Sequence, residues 1–211
     1  MHLPPVFRLD DPAAIDALVR DVGLATLVGV RDDGGLEVTH VPLVLRRGPG
    51  SSATLVGHVA RASATWRALD GRPVTAIFQG PHAYVSAGVY TRPEDEVPTW
   101  SYVVVHAEGT LHTTTGPELR ADLAELVSAF EGPTPRWSLD AMRPELLAEL
   151  EGGIVGLRVD VRRITAKAKV SQNRSPEDRA RVRAMLADRG DTVSLALVAH
   201  MDAAEARRSS S

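Results

Sequence analysis

The sequence contains no cysteine. That excludes disulfides, thiolate nucleophiles and thiolate metal sites, and with them zinc fingers, iron–sulfur clusters and cysteine hydrolases. Lysine is nearly absent as well: of the 24 basic residues, all but Lys167 and Lys169 are arginine. No apolar run approaches the roughly 20 residues that a membrane span requires. No G-x-S-x-G, Walker A or post-strand G-x-G-x-x-G pattern occurs, so hydrolase, NTPase and Rossmann readings find no support. The opening MHLPPVFRLDDP has neither the cationic nor the apolar segment of a secretory signal. With the missing disulfides, this predicts a cytoplasmic protein.

What is present suits a folded chain. Hydrophobic residues make up 44% and charged residues 24% of 211 positions, enough to bury a core. The net charge of -3 is uneven: Arg158–Arg189 carries ten Lys/Arg against four Asp/Glu. An anion site should draw on that region.

Asp11-Pro12 reads as an N-cap and first helical position, with Ile15, Leu18, Val19 and Val22 at helical spacing. Leu24–Val30 and Leu36–Leu45 predict a hairpin turned by Asp32-Asp33-Gly34-Gly35. After the Gly48–Ser52 loop come a strand at Ala53–Val59, a short helix near Ala60–Leu69, and strands at Pro73–Gln79, Ala83–Ser86 and Val103–Thr113. Thr115–Glu118 and Ser175–Asp178 each fit a capping box before a helix, the second running to Arg189. A helix over Leu139–Glu151 and a strand over Ile154–Ile164 lie between them, and Ser209–Ser211 reads as a frayed tail. The pattern predicts an α+β fold with a small antiparallel barrel. The expected division is 1–170 as barrel and 171–211 as a helical extension with a disordered tail.

Aromatic residues are 4% of the chain, yet Phe78, Tyr84, Tyr90, Trp100 and Tyr102 fall within 25 positions. They could be core residues or the wall of a planar ligand. Lys167 and Lys169 share a face if they lie on a strand. They read either as guards of a solvated edge or as contacts for a phosphate or ring, beside the short donors Ser171, Gln172 and Asn173. Arg61 and Ser63 stand between a strand and a helical turn, where an anion can bind. The histidines show no metal-binding spacing, so neither a metal site nor catalytic residues are assigned.

Five segments carry a family likeness: HVPLVL (His40–Leu45), GHVARASATW (Gly57–Trp66), IFQGPHAYVSAGVY (Ile77–Tyr90), VPTWSYVVVHAEG (Val97–Gly109) and KAKVSQNR (Lys167–Arg174). In order and spacing the chain resembles the PaiB family along roughly Leu3 to Leu186. The resemblance implies an FMN-binding split barrel of the flavin-reductase and pyridoxamine-oxidase type, and a homodimer with its sites at the subunit interface. It further implies that Arg61 and Ser63 contact the phosphate and Gln79 the isoalloxazine, with Trp100, Lys169 and Gln172 approaching from either subunit. Family members often carry asparagine where Ser63 stands.

The family is described as negative transcriptional regulators. No helix-turn-helix signature accompanies that here, and the Arg174–Arg189 helix is diluted by Glu177, Asp178 and Asp188, so direct DNA binding is not expected. The competing reading is an oxidoreductase using FMN or F420 on a small organic substrate, with the chemistry supplied by the cofactor. Haem is a further alternative, through a histidine ligand.

Overall fold

The computed structural model describes residues 1–50 and 52–209, without the side chain of Ser209. Helix α1 (Pro12–Val22) begins where the sequence places it: Asp11 Oδ1 accepts from the Ala13 N–H at 3.0 Å, and Ile15, Leu18 and Val19 are buried. Strands β1 (Leu24–Val30) and β2 (Leu36–Pro42) pair antiparallel from Leu24↔Pro42 to Val30↔Leu36. In their turn, Gly34 takes a φ of 79°, which a side chain would resist.

The second strand was expected to run on to Leu45. It stops at Pro42 instead, and β3 (Val44–Arg47) starts after one intervening residue. Leu43 forms the corner: it is buried, and its N–H donates to Gly23 O at 2.9 Å. The remaining strands are β4 (Ala53–Ala60), β5 (Pro73–Val85), β6 (Thr99–Thr114) and β7 (Ile154–Lys169). The sheet order is β2-β1-β5-β6-β7-β4-β3. Its two outermost strands are thus joined through a single residue, so the sheet curls until its rims meet at Leu43. This is the α+β fold with an antiparallel barrel that the sequence pattern predicts, in the split-barrel form that the family resemblance implies.

Beyond β4 the short helix α2 (Thr65–Leu69) buries Thr65 and Leu69. Strand β5 was expected as two pieces but is continuous. Its inward residues are Val74, Ala76, Phe78 and Gly80, then Ala83 and Val85. The phase slips by one at Pro81-His82, where proline lacks a ladder donor; a one-residue irregularity bends a strand without ending it.

Helix α3 (Gly116–Glu131) buries Leu119, Leu123 and Leu126. Thr115 makes no side-chain cap there, and Gly116 turns through a φ of 56°, so the first capping box is not formed. Asp122 on α3 is fully buried and receives Arg158 through two bonds of 2.9 Å, Arg46 at 3.1 Å and the Thr114 hydroxyl at 3.2 Å. A buried carboxylate without such partners would be strongly destabilising.

The helix expected over Leu139–Glu151 is a 3-10 turn at Leu139–Ala141 followed by α4 (Pro144–Gly152). Pro144 disfavours helical backbone at the preceding residue, Arg143, which is extended. Of the second capping box the N-cap half forms: Ser175 Oγ accepts from the Asp178 N–H at 3.1 Å and opens α5 (Pro176–Arg189), while the Asp178 carboxylate accepts from the Ser175 hydroxyl and the Thr91 N–H. Helix α6 (Thr192–Ser209) lies within the expected helical extension, where only the helix to Arg189 was placed, and it reaches the first residue of the expected tail; Ser210 and Ser211 lie outside the described residues. Among the described residues no helix is long and apolar enough to cross a membrane.

The chain forms two compact units. One comprises Met1–Ile15, Gln79–Val105 and Thr165 onward, the other Asp16–Phe78 and His106–Ile164. Strands β5, β6 and β7 contribute to both.

Candidate functional site

The residues implicated by sequence divide between the units. Arg61 and Ser63 belong to the Asp16–Phe78 part, immediately after β4. The backbone N–H of Arg61 donates to Gly153 O at 2.8 Å, while its guanidinium donates to Gly152 O at 2.6 Å and Ile154 O at 2.9 Å. These bonds fix the exposed Arg61 beside the start of β7 and leave other guanidinium N–H groups for an anion. Ser63 Oγ donates to Thr65 Oγ1 at 3.0 Å and accepts from the Thr65 N–H at 3.2 Å; Thr65 in turn donates to Glu37 Oε1 at 2.7 Å. Ser63 therefore sits just ahead of α2, two positions from Arg61.

The other four residues fall in the unit built on Gln79–Val105 and Thr165 onward. Gln79 is exposed on β5 between the buried Phe78 and Gly80, and its side-chain amide makes no hydrogen bond among the described residues. Strand β6 starts at Thr99, four residues before its expected start, which brings Trp100 and Tyr102 into the sheet. Trp100 stays 53% exposed, with the Tyr84 ring edge-on at 6.0 Å and the His82 ring tilted at 6.2 Å. This half of the aromatic cluster is an open wall, whereas Phe78 and Tyr90 are core.

Strand β7 extends five residues past its expected end and carries both lysines. Strand β4 covers only Ile154–Val161 of it, but farther along Arg8 bridges to Lys167, the Leu9 N–H donates to Ala166 O at 3.1 Å and Lys167 is buried, so the solvated-edge reading of the lysines does not hold. Lys167 is 7% exposed; its ammonium donates to His2 O at 3.1 Å and stands 5.2 Å from the Tyr102 ring centre. The ammonium of Lys169 donates to the Thr99 hydroxyl. Burial pushes Lys169 below the ordinary lysine value, the positive charges of Lys167 and Arg174 add to that, and Tyr102 opposes it.

Gln172 follows in a tight turn. Its Oε1 accepts from the Val170 N–H at 2.8 Å and its Nε2 donates to Ala168 O at 2.5 Å, while the preceding Ser171 holds a φ of 69°. A non-glycine residue in that region costs free energy and persists where its surroundings over-determine it. The Gln172 amide therefore braces the turn that ends β7.

Two neighbouring features escaped the sequence reading. Thr99 looked like a loop residue after Pro98, and nothing local marks it as the partner of a lysine 70 positions away. Arg174 lies over the Tyr90 ring at 4.5 Å and pairs with Glu96 at 2.5 Å; only the charge signs hint at that. Among the described residues no cluster of three or more His, Asp or Glu side chains is arranged to hold a metal ion.

Each group has its own chemistry: the guanidinium and hydroxyl of Arg61 and Ser63 suit phosphate oxygens, and the amide, ammonium and exposed indole of Gln79, Lys169 and Trp100 suit a planar ring with carbonyl acceptors. A family model described as "Putative FMN-binding domain" matches residues 1–163. The protease synthase and sporulation protein PAI 2 of Bacillus subtilis (strain 168) is 32% identical over 180 residues, which cover 84% of this chain and 85% of that protein. Among solved structures, the flavocytochrome Anf3 of Azotobacter vinelandii aligns with a TM-score of 0.61 at 17% identity, over 85% of this chain and 78% of its own. The FAD and haem binding protein of Mycobacterium smegmatis aligns with a TM-score of 0.60 at 22% identity, over 82% and 78%.

Proposed function

The chain belongs to the PaiB family of FMN-binding-domain proteins, and from that premise we propose that it is a flavin-binding negative regulator of transcription. It acts as a cytoplasmic homodimer in which FMN occupancy alters a contact with a partner. Arg61 and Ser63 hold the phosphate, and Gln79, Trp100 and Lys169 face the ring. Gln172 acts by holding the turn beside Lys169.

The observation that carries this reading is the pairing of Lys169 with Thr99 next to an exposed Trp100. A partly desolvated ammonium held by the neighbour of an open indole suits a planar ring that carries carbonyl acceptors, and among the described residues no nucleophile–base pair accompanies it. When bound, the flavin supplies redox chemistry that the chain's own side chains lack.

The dimer draws support from one face of the β1–β2 hairpin. Val30 and Leu36 are cross-strand partners, as are Val28 and Val38, and Val30, Leu36 and Val38 are 52%, 61% and 52% exposed. Such a strip is an interaction surface. Action without direct DNA contact is favoured by α5, where Arg179, Arg181 and Arg183 pair with Glu205, Glu177 and Asp202.

The test is the absorption spectrum of the purified protein after FMN addition and desalting, with Lys169→Ala in parallel. Flavin bands retained by the wild type and lost in the variant support the reading; a colourless wild type overturns it. The exposed wall of Trp100, Tyr84 and His82 gives the oxidoreductase alternative its footing, because a small substrate could stack there. Bleaching of bound flavin by NADH or NADPH would favour that alternative.

A further inference from the structure

A cavity of about 520 Å³ opens in the unit that carries Lys169, on another set of walls. Arg8 reaches it from the N-terminal segment and Arg207 and Arg208 from the last turn of α6, over a floor of Val6, Ala168 and Ala204. That volume lies within the range of small-ligand sites.

Among the described residues its two carboxylates, Asp10 and Asp11, make no hydrogen bond to Arg8 or Arg208. Asp11 is engaged in capping α1, and Asp10, with a side chain 76% exposed, stands 3.9 Å from Arg8 Nε. Arg208 donates one bond, to Gln172 O at 2.8 Å, which leaves most of its fork to other acceptors. The last turn of α6 is the negative end of its dipole and disfavours an anion, so the attraction must come from the guanidinium groups. Planar guanidinium forks match carboxylate and phosphate oxygens, and the apolar floor matches a short carbon skeleton.

The cavity also touches the turn behind the candidate flavin contact. Ala168 lines it, and the next residue on the strand is Lys169, whose side chain leaves from the opposite face. Gln172 joins the two sides: its amide holds Ala168 O, and its carbonyl receives Arg208. A ligand that drew on Arg208 would load the turn containing the left-handed Ser171.

We propose that this cavity binds a small organic anion, and that its occupancy changes flavin affinity through the 168–172 turn. The effector role rests on the flavin-binding reading above; the anion site does not.

The test titrates succinate and inorganic phosphate separately into flavin-free and FMN-loaded protein by calorimetry, with Arg8→Gln and Arg208→Gln beside the wild type. Both side chains are at the surface, so both variants should fold, which circular dichroism checks. Expected are saturable binding of succinate, a loss of about tenfold or more in each variant, and an FMN affinity that shifts when succinate is present, as linkage demands. No saturable succinate binding, binding that both variants retain, or binding of phosphate alone overturns the organic-anion site. Succinate binding that leaves FMN affinity unchanged overturns the effector role. Because the flavin-free titration needs no cofactor, a protein that takes up succinate but no FMN would refute the flavin reading and the effector role while sustaining the anion site.

Discussion

Lys169 and Thr99, at the end of β7 and the start of β6, are joined by a hydrogen bond from ammonium to hydroxyl. The bond ties one of the chain's two lysines to the residue before Trp100, in surroundings that disfavour its charge.

A pH dependence follows. Burial foremost, with Lys167 and Arg174, holds Lys169 below its ordinary value of 10.5. A bound anion prefers the protonated form, so FMN affinity falls as pH rises through this lowered value. In Lys169→Arg the charge persists and the profile stays flat. Flavin fluorescence quenching from about pH 7 to pH 10 checks both, against the ordinary lysine range. Stability runs the other way: the unfolded chain binds the proton more tightly, so it rises with pH between the lowered value and 10.5.

Asp122 is the most consequential buried charge, since Arg46, Arg158 and Thr114 all converge on it. Asp122→Ala leaves two guanidinium groups without their shared acceptor and should lower stability by about 3–5 kcal/mol, measured by urea denaturation. Asp122→Asn, which keeps an acceptor and the volume, should cost less.

Much of the fold was legible because the elements announce themselves locally. The β1–β2 turn, the Asp11 and Ser175 caps and the strand at 53–59 rest on residues within a few positions of one another. The corner at Leu43 was not legible, since HVPLVL alternates smoothly and only burial against Gly23 breaks it. Helix α6 did carry a signal that the sequence reading passed over: Asp191 Oδ1 accepts from the Ser194 N–H at 2.8 Å, an ordinary cap ahead of an apolar run. For the candidate site, the family segments pointed to Lys169 and Trp100, but their link through Thr99 and the bracing of Gln172 by Arg208 depend on contacts across 70 and 36 positions. No local pattern encodes those.

Gly57 on β4 has no room for a side chain. A Cβ there would lie 2.5 Å from Pro42 O and 2.6 Å from Leu43 Cδ2. Gly57→Ala should therefore push the corner away from β4 and destabilise the protein by roughly 1–3 kcal/mol, read as a lowered thermal midpoint in calorimetry.

The hairpin strip offers a test of assembly. Val38→Glu places a charge at the middle of the exposed β2 face, in a side chain already 52% accessible, so the monomer should fold normally. Light scattering should show a dimer for the wild type and a monomer for the variant. Dimeric behaviour retained by the variant would locate the interface elsewhere.

The single-residue link at Leu43 also bears on how the chain reaches its native state. Ala53–Ala60 must find Val161–Ile154, about a hundred positions away, before the rim strand β3 has a platform. Long-range pairing of this kind slows folding, so closure of the barrel should come as a late, cooperative step. Circular permutants opened at Leu43 would uncouple the two rims and let each side dock in its own time.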